Sequence, residues 1–111
     1  MDEGRFEALG GGRYRAAGEL TFATVPGVWE RSQGMFEAAG TEVAVDLAEV
    51  ERVDSAGLAL LIEWVRRARQ AGATIRFRAI PEQLLAIARV SGLGDVLPLD
   101  AGWPVPRPSA P

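Results

Sequence analysis

At Asp54-Ser55-Ala56-Gly57 the chain sets a carboxylate, a hydroxyl and a glycine side by side, just ahead of the apolar run Leu58, Leu61, Ile62 and Val65 at helical spacing. The first turn of a helix carries unpaired N–H groups and the positive end of the helix dipole, so negative charge is favoured there. Two chemistries suit that position. Asp and Ser are preferred helix N-caps, and capping alone is worth about 1 kcal/mol. A phosphorylated Ser55 would also be tolerated by its own helix, while adding about −1.5 to −2 charge against any surface that faces it. Gly57 is a poor helix former but leaves the backbone open to a close neighbour, which suits a contact surface.

Hydrolytic chemistry at Ser55 lacks its partners. The 111 residues contain no His and no Cys, and all 12 cationic side chains are Arg. Imidazole-assisted triads, thiolate nucleophiles, disulfides and zinc sites built on Cys or His are therefore excluded by inventory, and a metal site would have to rely on carboxylates and carbonyls. No Lys or His stands ready as a base for Ser55, and no second carboxylate near Asp54 completes an acid/base pair. Asp46 is the one acid that the fold could bring near, and it reads more simply as a cap at the end of a strand. Gly10-Gly11-Gly12 is not a phosphate loop, because a strand pattern follows it and no Gly-Lys-Ser/Thr is present. The expectation is a protein without enzymatic activity and without a cofactor.

Charge narrows the partners further. A net charge of −3 argues against a nucleic-acid footprint, which needs clustered positive charge. Arg66, Arg67 and Arg69 fall near the end of the helix that starts after Asp54, where cations balance the dipole or steer an acidic partner. No run approaches the roughly 18 apolar residues of a spanning helix, and the charged, glycine-rich start does not read as a signal peptide. Any link to a membrane is expected to pass through a partner, without direct insertion. The lack of cysteine fits a reducing compartment.

The elements that must position the Asp54-Ser55 junction follow from period and punctuation. Phe6 to Leu9 and Arg13 to Ala17, joined by Gly10-Gly11-Gly12, predict an opening hairpin. Pro26, with Thr24 as a cap, predicts a helix running to about Ala39 and ending at Gly40, with Gly34 as a weak point inside it. Thr41 to Leu47 reads as a buried strand. The helix after Asp54 ends at Gly72. Ala73 to Ile80 alternates as a strand with one wet face, and Pro81 opens a last helix that ends at Ser91-Gly92. Val96 to Leu99 reads as a short closing strand or docking segment. Residues 101–111 carry four of the chain's seven prolines and read as a flexible tail, leaving residues 1–100 as one domain. Strands alternating with helices predict an α/β fold: a mixed central sheet of about four to five strands with helices packed mainly on one face.

Helical projection adds a candidate contact surface. With Leu58, Leu61, Ile62 and Val65 aimed at the sheet, Leu60 and Trp64 fall together on a flank beside Ala56 and Gly57. Either the other helices cover this flank, or it is an exposed aromatic anchor of the kind that dominates interfaces. Trp29, in the first helix, and Trp103, in the tail, carry the same two readings. The partner-binding set that the sequence supports is Asp54, Ser55, Ala56, Gly57, Leu60, Trp64 and Trp29.

Three stretches together resemble the STAS family of small regulatory modules. They are Gly18-Glu19-Leu20-Thr21, the span from Val45-Asp46-Leu47 to Asp54-Ser55-Ala56-Gly57-Leu58, and Leu84 through Leu99. Gly18 to Pro26 and Ala86 to Leu93 look most like the MlaB branch. That resemblance implies a cytoplasmic accessory subunit bound to the ATPase of an Mla-type phospholipid ABC transporter, and through the ATPase to a membrane permease, so that it sits peripherally at the inner membrane. The competing branch, the anti-sigma factor antagonists, shares Asp-Ser-x-Gly-Leu and implies phosphorylation of Ser55 by an anti-sigma kinase. Thr21 and Ala59 depart from the Asp and Gly common in that branch.

Overall fold

The computed structural model describes residues 4–37 and 41–92. The expected end of the first helix at Gly40, the closing segment Val96 to Leu99, the tail and Trp103 all lie outside the described residues.

Alternation and glycine build the first hairpin. β1 (Arg5–Gly10) and β2 (Arg13–Leu20) pair antiparallel, with Arg5 opposite Ala17 and Ala8 opposite Tyr14. Gly11 and Gly12 connect them at φ +65° and +81°, a left-handed pair that side chains other than glycine rarely adopt. β2 then pairs in parallel with β3 (Glu42–Val53), and β3 in parallel with β4 (Thr74–Arg78). The four described strands form one mixed sheet in the order β1-β2-β3-β4.

β3 is longer than the Thr41 to Leu47 strand expected from hydrophobicity. Past Leu47 its residues are mostly exposed, so the apolar signal fades while backbone pairing with β2 continues: Ala17 opposes Glu49 and Leu20 opposes Val53. Asp46 is therefore inside a strand and does not cap its end. It sits where the β2–β3 register shifts. Its Oδ1 accepts the Ala48 N–H at 2.9 Å and its Oδ2 pairs with Arg78 at 3.2 Å.

The first helix, α1, is also shorter than expected. It spans Val25–Arg31 and gives way to a 3-10 turn at Gln33–Phe36. Ser32 Oγ and Gln33 Nε2 both donate to the Trp29 carbonyl, at 2.8 and 2.9 Å. These bonds compete with helix continuation, and Gly34 adds its own propensity cost. Thr24 does not cap α1 through its side chain. Its hydroxyl instead donates to the Glu19 carbonyl at 2.7 Å and accepts the Thr21 N–H at 3.0 Å.

α2 (Ser55–Ala71) and α3 (Glu82–Val90) complete the layer. Gly72, in the left-handed region at φ +72°, stops α2 as its position in the sequence predicts. The inward strand residues Leu20, Val45, Leu47 and Phe77 are fully buried against Leu61, Trp64, Leu84 and Val28 of the helices. The opposite sheet face is charged. Across it Arg15 pairs with Glu7 at 3.1 Å and Arg78 with Asp46, exposed pairs worth at most about 1 kcal/mol each.

Candidate functional site at the mouth of α2

Asp54 is the N-cap of α2, and it fastens two segments at once. In extended conformation (φ −138°, ψ −166°), its Oδ1 accepts the Ala56 N–H at 2.8 Å and so satisfies one of the orphan donors of the helix. Its Oδ2 accepts the N–H of Phe22 at 3.0 Å, reaching from the helix mouth to the turn between β2 and α1. The Asp54 N–H itself reaches the Leu20 carbonyl at 3.3 Å. Both carboxylate oxygens are thus used in holding the backbone, which makes Asp54 a positioning residue and leaves it poorly placed to act as a general base for its neighbour.

Ser55 is exposed at the first helical position. Among the described residues its hydroxyl has no hydrogen-bond partner. A carboxylate cap on one side and the positive helix end on the other frame a hydroxyl that a partner can reach. Ala56 beside it is half-buried.

Gly57 has a structural reason to be glycine. It is buried, and a Cβ there would stand 2.6 Å from the Leu20 carbonyl oxygen. The close neighbour expected at this position is therefore the end of β2 within the same molecule, and the reading of Gly57 as an external contact is corrected. The short approach lets α2 start directly over the end of β2 and keeps Asp54 within reach of the Phe22 turn.

The flank proposed at Leu60 and Trp64 is covered. Trp64 is 0% exposed; its Nε1 donates to Ser32 Oγ at 2.8 Å, and its ring lies between Phe6 and Phe77 at centroid distances of 5.6 and 6.3 Å. The exposed-anchor reading of Trp64 is corrected: α1 and the 3-10 turn pack against this side of α2, and Ser32 supplies the acceptor that a buried indole needs. Leu60 is also buried, but it forms the floor of a surface groove of about 330 Å³ whose other lining residues are Val25, Trp29, Ala59 and Glu63. Trp29 is half-buried along this groove, with the Arg67 guanidinium 5.6 Å from its ring centre, a cation–π distance.

The accessible side of α2 thus runs through Ser55, Ala59 and Glu63, successive positions four apart that lie one above another on a helix. Sequence reasoning missed one member of this region. Phe22 is 81% exposed, the most exposed aromatic among the described residues, and its backbone is tied to Asp54. The signal available was an aromatic residue standing between a strand and a helix, outside the period of either.

No group of His, Cys, Asp or Glu suited to a metal is found among the described residues. No described helix is long and apolar enough to cross a membrane.

Residues 10–99 match the family described as "Mlab, STAS domain". Among characterised relatives, the intermembrane phospholipid transport system binding protein MlaB of Haemophilus influenzae is 34% identical over 82 residues, covering 70% of this chain and 77% of the relative. The protein of the same name from Escherichia coli is 31% identical over 83 residues, covering 74% and 82%. Among solved structures, the anti-sigma factor antagonist SpoIIAA in its unphosphorylated form superposes with a TM-score of 0.60 at 20% identity, over 87% of each chain. The murine Solute Carrier 26 family member A9 anion transporter matches with a TM-score of 0.63 at 15% identity, over 86% of this chain and 19% of the transporter. At these identities the structural matches speak for the fold.

Proposed function

The chain belongs to the STAS family, and from that membership we propose that it is a non-catalytic accessory module that binds, and stabilises or regulates, the ATPase subunit of an Mla-type phospholipid ABC transporter. The observation that carries this reading is the exposed, unpartnered Ser55 hydroxyl at a helix mouth held rigid by Asp54, on a chain whose relatives are phospholipid transport system binding proteins. Such a module has no use for a reaction centre. It needs a fixed surface, and α2 provides one that runs from Ser55 past Ala59 to the groove beside Trp29. Through the ATPase the protein would stand next to a permease, on the cytoplasmic side of the inner membrane, without inserting itself.

The direct experiment is binding to the purified ATPase subunit across Ser55, Ala, Thr, Asp and Glu at position 55. Ser55→Asp and Ser55→Glu are expected to weaken binding by about tenfold or more, because a charge is carried into a desolvated contact, and Ser55→Ala to be milder. Equal affinities across the series would remove Ser55 from the interface and leave it a plain first-turn residue.

A second reading is favoured by one feature, the Asp-Ser-x-Gly-Leu junction with its accessible hydroxyl: a sigma-factor regulator switched by phosphorylation at Ser55. A phosphate here would meet the positive helix end. Recovery of a kinase-like anti-sigma protein, with no transporter ATPase, in pull-downs from native extracts would select it.

A further inference from the structure

A solvent-exposed hydrophobic side chain is not unusual by itself, since much of any protein surface is apolar. Phe22 differs in how firmly it is held. Its N–H is bound by Asp54 Oδ2, and the turn that carries it is closed by Thr24 and Val25 N–H groups donating to the Thr21 carbonyl at 2.9 and 2.8 Å. Thr24 Oγ1 locks the same turn from within. Every one of these bonds uses the backbone or a neighbouring side chain, so the fold requires a residue at position 22 but not a phenyl ring. The ring is 81% exposed, and removing that apolar area from water would favour association.

We propose that Phe22 is the anchor of the partner interface: it inserts into an apolar pocket on the ATPase subunit, and the Asp54 carboxylate fixes its direction relative to Ser55. This rests on the reading of the protein as an ATPase-binding module. A ring presented on an immobilised turn loses little conformational entropy on docking, which is the property that makes a few rigid aromatics dominate binding. The shared carboxylate makes Phe22 and Ser55 one unit, since Asp54 holds the turn with one oxygen and caps α2 with the other. The groove of Val25, Trp29 and Leu60 adjoins this unit along α2 through Ala59. Its one charged lining residue, Glu63, is paired with Arg66 at 3.1 Å, so the segment of the ATPase that lies along it is apolar.

The test is affinity for the purified ATPase subunit, measured by calorimetry or biolayer interferometry for the full chain and five variants, Ser55→Glu among them, with melting temperature recorded for each. Phe22→Ala is expected to weaken binding about 30-fold or more with an unchanged melting temperature, and Phe22→Leu to recover part of the loss. Asp54→Asn keeps an oxygen for the Ala56 N–H but sets an amide NH₂ against the Phe22 N–H; it is expected to fall between the two. Val90→Ala removes a side chain that is 88% exposed at the end of α3 and is expected to leave affinity within about twofold. If Phe22→Ala binds as the parent does while Ser55→Glu loses binding, the anchor is overturned and the ATPase reading survives. If the parent chain does not bind the ATPase at all, the ATPase reading itself fails. A large fall in melting temperature for Phe22→Ala would place the ring inside the fold and overturn the anchor as well.

Discussion

Trp64 and Phe22 are two aromatic residues with opposite surroundings, the first left open between core and surface by the sequence and the second unmarked by it. Trp64, at the edge of a helical stripe, is wholly buried with its indole N–H bonded to Ser32; Phe22, in a short turn, stands in solvent. The difference is made by what packs on each: Phe6 of β1 and Phe77 of β4 flank the Trp64 ring, and Ser32, just past the end of α1, takes its indole N–H. The same chain passage, entering α1 from β2, turns at residues 21–24 and leaves Phe22 outside. One segment therefore closes the core at one end and displays a contact residue at the other.

The contrast can be broken at its core end with the largest effect. Trp64→Ala is expected to cost about 3–5 kcal/mol in the unfolding free energy measured by urea titration, because it removes a fully buried ring and strips Ser32 of its indole donor. A loss under about 1 kcal/mol would mean that the flank is loosely covered and would restore the anchor reading of Trp64.

Gly57→Ala tests the hinge between the two regions. A Cβ placed 2.6 Å from the Leu20 carbonyl forces α2 away from β2, with an expected cost of about 1–3 kcal/mol. The same urea titration gives this value, and an unchanged midpoint would show that the helix start yields freely. Next in size is Asp54→Ala. It removes a cap worth about 1 kcal/mol and releases the Phe22 turn, so amide exchange at residues 21–25 is expected to accelerate more than exchange in β4. Uniform exchange would show that Asp54 acts only on its own helix. Smallest is Phe22→Ala, which is expected to leave unfolding free energy within about 0.5 kcal/mol.

What the sequence disclosed depended on whether a residue's surroundings were local. The hairpin, α2, β4 and α3 were legible because glycines, prolines and strong periodicity mark them within a few residues of chain. Asp54 was legible as a cap for the same reason. The second half of β3 was not, since Ala48, Glu49, Glu51 and Arg52 are exposed and the segment owes its strand conformation to pairing with β2. Nor was the early end of α1, which turns on a side chain of Ser32 bonding back to Trp29. Gly57 was recognisable as special, but the neighbour that demands a glycine, Leu20, is 37 residues away. Leu60 and Trp64 were placed on a flank whose exposure is decided by residues distant in the chain, Phe6, Ser32 and Phe77 for Trp64. Phe22 escaped notice because no periodic pattern contains it; its tether to Asp54 spans 32 residues of chain.

The central claim is that a partner ATPase docks on the corner formed by Phe22, Asp54 and Ser55, and not on the charged face of the sheet. Hydrogen–deuterium exchange of the full chain, alone and saturated with the purified ATPase subunit, tests it most directly. The account predicts slowed exchange in peptides covering residues 20–31 and 54–63, with β1 and β4 unchanged. Protection confined to β1 and β4, on the Arg15 and Arg78 side, would contradict it.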